Sequence, residues 1–209
     1  MAAYSRGVVP HVEYRDDAGE VISYGSRWSD GWPPEDSYGR VSNSQRFEPL
    51  QGVARRLIAH LVREYEVDAA SDPSFVSDFS QPSGVGEVVR LVPSVPLAAR
   101  LTFGFTTLPG VFIAAGTLHQ FAFPACGCDA CDEDVTAQID QLEETVFAVV
   151  EGDYREWVSG DDVGFSLRYR GGSSSAMGSS RDFEPERLAA GRAGLPSEGA
   201  SWVPWPRRR

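Results

Sequence analysis

Cys126, Cys128 and Cys131 are all the cysteines in this 209-residue chain, and they fall within six positions. The stretch that holds them, FPACGCDACDED from Phe123 to Asp134, follows a strand-like segment and precedes a helical one. Thiolates are preferred ligands of soft and borderline cations, and closely spaced cysteines in a short loop can wrap a tetrahedral ion. Zinc is the cofactor this pattern implies. Three thiolates leave one position to fill. His119 is the best fourth ligand in the sequence: it lies seven residues before Cys126, at the start of the incoming strand. Asp129, Asp132, His60 and a water are its rivals, and a water would leave the open position that catalytic zinc sites keep.

Redox chemistry is the second reading. Cys128-Asp129-Ala130-Cys131 is a C-x-x-C ahead of a helix, whose N–H groups and dipole would lower a thiol pKa. Asp129, Asp132, Glu133 and Asp134 act against it, since nearby anions disfavour thiolate. No thioredoxin-type βαβ pattern surrounds the motif. The plainest reading is a set of small buried apolar residues, and Gly127 and the acids argue against that burial. Asp132, Glu133 and Asp134 have a plain role too, capping and complementing the helix that follows.

Composition removes several other chemistries. The 19 basic residues are all arginine. Without lysine there is no Schiff-base catalyst, no pyridoxal phosphate anchor and no P-loop lysine. The three histidines, His11, His60 and His119, form no H-E-x-x-H, and neither G-x-S-x-G nor a complete G-x-G-x-x-G is present. These gaps lean the chain away from enzymes. The net charge of −11 opposes attraction to nucleic acid and anionic membranes, and fits a basic protein partner. No apolar run reaches a membrane span and the N-terminus shows no secretory pattern, so a cytoplasmic protein with free or metal-bound thiols is expected.

The elements that would position the thiols follow from periodicity. Leu50, Val53, Ala54, Leu57, Ile58, Leu61, Val62 and Tyr65 recur at three and four, which predicts an amphipathic helix from about Phe47 to before the Asp72-Pro73 turn. Glu87–Val92, Arg100–Thr107, Val111–Ala115 and Leu118–Phe123 read as an antiparallel meander turning at Pro109-Gly110 and Ala115-Gly116. A second long helix is expected from about Glu133 to Val158, with Tyr154 and Trp157 on its buried stripe, and then a last strand over GFSLRYR. GGSSSAMGSS, Gly171 to Ser180, has linker composition.

Three blocks carry a resemblance: SYGRVSNSQRF (Ser37 to Phe47), FPACGCDACDE (Phe123 to Glu133) and PWPRR (Pro204 to Arg208). Together they resemble an uncharacterised actinobacterial domain-of-unknown-function family. The resemblance implies that Cys126, Cys128 and Cys131 travel as a unit with Asp129 and Asp132. It implies no activity, and His119 lies outside its blocks.

The expected architecture is α+β: an antiparallel sheet of four to five strands with two long helices packed on one face. Residues 1–46 form an irregular arm whose tryptophans dock, 47–170 the single domain, and 171–209 a Gly/Ser linker with a Trp/Pro/Arg tail docked through Trp202 and Trp205. The expected function is a small binding or regulatory protein with a zinc-held loop. Alternatives are a thiol oxidoreductase or redox sensor using Cys128 and Cys131, and an acidic inhibitor or immunity-type protein that binds a basic partner.

Overall fold

Leu50, Val53, Ala54, Leu57 and Leu61 are fully buried along one stripe of helix α1 (Glu48–Glu64) in a computed structural model that describes residues 4–29, 31–195 and 201–209. Pro49 sits in the first turn, where its missing N–H leaves no bond unmade. The stripe packs on a five-stranded antiparallel sheet in sequential order: β1 (Val67–Ser71), β2 (Val85–Pro93), β3 (Leu101–Thr106), β4 (Gly110–Ala115) and β5 (His119–Phe123). Leu101, Phe103 and Phe105 alternate toward α1, as do Val111, Ile113 and Ala115 opposite them. Truncating Phe103, wholly buried here, should remove about 3–5 kcal/mol.

The other face of this sheet is covered as well. A 3-10 segment, Pro73–Asp78, lies over it with Phe79, Val88 and Ala114 beneath. Asp78 anchors the segment by accepting from Thr102 Oγ1 at 2.6 Å and from both Arg90 Nε and Nη2 at 2.8 Å. Burial on both faces explains why β3 is apolar or small throughout and not only at alternate positions.

Helix α2 (Val135–Val150) lies beside α1 and shares its core through Ile139, Leu142, Val146 and Val149. It ends eight residues earlier than periodicity predicts. Gly152, at φ +79, turns the chain, and Tyr154 and Trp157 belong to strand β6 (Tyr154–Ser159) rather than to a helical stripe. With β7 (Asp162–Tyr169) and β8 (Gly172–Ser179), β6 makes a second, three-stranded antiparallel sheet. The Gly/Ser stretch expected as linker is therefore a strand, paired with β7 along its whole length. A third helix, α3 (Pro185–Gly194), arises where the sequence shows no clear pattern, and β1 replaces the stretch before the Asp72-Pro73 turn expected to continue the first helix, which stops at Glu64. The α+β class and the antiparallel sheet stand, joined by this second sheet.

The C-terminal tail docks as its tryptophans suggest. Trp202 and Trp205 are buried, and Trp205 Nε1 donates to Ala99 O at 2.8 Å. In the N-terminal arm the outcome is divided: Trp28 is half-buried against the cysteine loop, while Trp32 is 93% exposed. No helix among the described residues is long and apolar enough to cross a membrane.

Candidate metal centre

β5 ends at Phe123 and α2 begins at Val135, so the cysteine stretch is the connection between them. Gly127, at φ +83, takes a conformation that a side chain would strain, and this turn puts Cys126 and Cys128 on one side of the loop. The three sulfurs lie within 4.8 Å of one another. An ion with metal–sulfur bonds of about 2.3 Å in tetrahedral geometry holds its sulfurs about 3.8 Å apart, so closure asks for about 1 Å of movement or less. Cys126 and Cys131 are exposed and Cys128 is buried; none forms a disulfide.

The thiols differ electrostatically. Burial opposes ionisation of Cys128, but hydrogen bonds from the Cys126 and Cys131 thiols and from the N–H groups of Cys131 and Ala130 outweigh it, and its pKa is lowered. Cys131 is pushed up to about 12, first by its bond to Cys128, then by burial and by Cys126. The cluster thus favours ionisation at the innermost sulfur first, with two further sulfurs beside it: a donor set that suits a soft or borderline cation.

The acids between and after the cysteines are engaged elsewhere. Glu133 turns back to accept the N–H groups of Ala125, Cys126 and Gly127 at 2.8, 3.2 and 2.6 Å. Asp129, 1% exposed, accepts from Ser42 N, Ser42 Oγ and Arg40 Nε at 2.9, 2.7 and 2.8 Å. Its pKa is lowered: burial acts against ionisation, but the Ser42 backbone bond and Arg40 prevail. Asp132 accepts from Arg27 N at 2.8 Å. Only Asp134 caps α2, accepting from Ala137 N at 2.9 Å. The expectation that Asp132, Glu133 and Asp134 all serve the helix start is corrected accordingly: extended backbone at Asp134 makes it the N-cap, and the two acids before it lie outside the helix.

The structure does not bring His119 to the thiols. It opens β5, while the cysteines follow the strand's far end, about 13 Å away along extended backbone. Its Nδ1 lies 2.9 Å from Glu156 Oε1, and its ring packs on Phe165 and Phe183. Its distance from Cys126 in sequence is spent on running along the strand. His60 is remote as well, held on α1 by Arg63 and by edge-on ring contacts with Tyr4 and Phe147. Among the described residues, no histidine or carboxylate is grouped with the three sulfurs. The C-x-x-C also precedes α2 instead of opening it, so the helix N-terminus does not serve Cys128.

Sequence reasoning missed the part played by the arm. Ser37 O accepts from Ala130 N, Arg40 O from Asp129 N, and Gly127 O from Arg46. Trp28 Nε1 donates to Asp129 O. Ser37, Arg40, Ser42 and Arg46 all belong to the SYGRVSNSQRF block, so two of the three resemblance blocks form one structural unit. That shared resemblance was the signal available in the sequence.

The comparisons agree with the resemblance. The model of a family of unknown function, DUF6226, matches residues 10–209, and the chain belongs to that family. No curated protein and no solved structure matches it.

Proposed function

We propose that this member of the family is a small binding or regulatory protein whose cysteine loop is held by a structural zinc ion on Cys126, Cys128 and Cys131. The observation that carries the reading is the convergence of the three sulfurs in a loop whose neighbouring carboxylates all bind backbone or arginine. Thiolate sulfur selects zinc over magnesium or calcium. The fourth position falls to water or to a donor from outside the described residues. Cobalt substitution tests the reading. The full-length protein should take up one Co²⁺ with intense sulfur-to-metal charge transfer and tetrahedral ligand-field bands, both lost in Cys128→Ser. An octahedral spectrum without charge transfer would contradict it.

Thiol redox chemistry is the second reading, supported by the lowered pKa of Cys128 and the exposure of its two neighbours. A reversible Cys128–Cys131 disulfide in the metal-free protein would favour it. Alkylation of both thiols only at the pH of free cysteine would remove it.

A further inference from the structure

Sulfur-bearing and arm-bearing residues alternate along the loop. Cys126, Cys128 and Cys131 carry the sulfurs, while Gly127, Asp129, Ala130 and Asp132 all bind the N-terminal arm. Gly127 O accepts from Arg46 Nη2 at 3.3 Å. Asp129 takes three hydrogen bonds on its carboxylate, gives its N–H to Arg40 O at 2.8 Å, and accepts Trp28 Nε1 on its carbonyl at 3.1 Å. Ala130 N donates to Ser37 O at 3.2 Å, and Asp132 holds Arg27 N. A cation that fixes the three sulfurs therefore fixes the peptide planes the arm depends on.

The junction is also incompletely satisfied. Arg27 Nη1, Arg46 Nε and Asp132 Oδ1 are buried there without a protein hydrogen-bond partner. These unmet hydrogen bonds work against docking, offset in part by the Arg27–Asp132 ion pair at 3.9 Å and by Arg46 packing on Tyr24 and Phe47. A balance of this kind is one that a ligand on the loop can tip.

We propose that occupancy of the three-cysteine site and docking of the arm over residues 24–29 and 31–46 are one linked equilibrium, resting on the metal reading above. The ion stabilises the docked arm, and by linkage the docked arm raises affinity for the ion. Tyr24 and Arg46 of the arm also border a cavity of about 1070 Å³, where Val9, Tyr14 and Ile22 of the preceding segment face Pro49 and Val53 of α1 and Val135 of α2. Release of the arm withdraws Tyr24 and Arg46 from the lining of that cavity, so the thiol site bears on its shape.

The test uses the full-length protein with Zn²⁺ and limited trypsin digestion, which cuts this lysine-free chain only after arginine. Chelation should speed cleavage at Arg27 and Arg40 about tenfold and leave Arg168, on β7, unchanged. Cys128→Ser should be cleaved in the arm like the chelated protein. The double variant Arg40→Ala, Ser42→Ala alters only the arm and should bind zinc about tenfold more weakly in competition with a chelator. Zinc uptake with unchanged arm cleavage, or wild-type affinity in the double variant, would overturn the coupling alone. Absence of zinc uptake would overturn the metal reading, and the coupling with it.

Discussion

The imidazole of His119 is bonded to the carboxylate of Glu156, and the pairing joins the two sheets. Glu156, 4% exposed, also accepts the N–H groups of Thr117, Leu118 and His119 near 3.0 Å and Trp202 Nε1 at 3.2 Å. One side chain on β6 thus ties down the β4–β5 turn and the C-terminal tail. Its role is to hold structure, and it accounts for the position of His119.

The first prediction concerns acid stability. Burial acts to raise the pKa of Glu156, but His119 and the backbone N–H groups of Thr117 and Leu118 outweigh it, and the carboxyl titrates below its ordinary value. A folded pKa below the unfolded one gives stability that is present above about pH 4.5 and lost as pH falls through the folded value. Glu156→Gln should lose about 2–4 kcal/mol at pH 7, because the amide cannot accept all these donors. Its stability should then fall less steeply in acid than that of the wild type. Urea unfolding at pH 7 and pH 3.5 measures both.

The second prediction separates His119 from the metal. His119→Ala should leave zinc stoichiometry and affinity at their wild-type values while lowering stability by about 1–3 kcal/mol, as Glu156 loses a partner. A competition titration beside thermal unfolding gives both numbers. A large loss of zinc affinity with unchanged stability would place the histidine at the thiols after all.

The third prediction concerns Glu133. It binds three successive N–H groups of the loop and stands outside the metal set. Glu133→Ala should keep zinc binding but weaken it by about five- to thirtyfold, the equivalent of roughly 1–2 kcal/mol of loop order. Helicity should be unchanged, since Asp134 remains as the N-cap. Chelator competition and far-ultraviolet circular dichroism check the two halves.

The fourth prediction tests the tail. Trp205 is buried against Tyr65 and donates to Ala99 O. Trp205→Ala should lose about 3–5 kcal/mol. Trp32→Ala, at a 93% exposed site, should change stability by less than about 0.5 kcal/mol. The contrast shows which tryptophans belong to the fold.

How far the sequence reveals this molecule depends on which force shaped each segment. α1 is legible because its apolar residues repeat at helical spacing and all meet one core. The meander is legible because alternation and Pro109-Gly110 mark strands and a turn. β8 is hidden: backbone pairing to β7 holds Gly172–Ser179, and a Gly/Ser composition carries no trace of a hydrogen-bond ladder. β6 is misread as helix because Tyr154 and Trp157 happen to continue the α2 spacing, although Gly152 breaks the chain between them and α2. At the site, the cysteine cluster is visible from spacing alone. The partners of Asp129 and Asp132 are not, since adjacent acids look alike until tertiary contacts from residues about ninety or more positions away, such as Arg40, Ser42 and Arg27, tell them apart, and Glu133 is set apart by the loop's own fold back onto it.

The most direct test of the metal centre is elemental analysis of the purified full-length protein, coupled to thiol titration before and after chelation. The account predicts one zinc per chain, three thiols protected while zinc is bound, and all three reactive once it is removed. Protein that carries no metal after exposure to Zn²⁺, with its thiols equally reactive throughout, would contradict it.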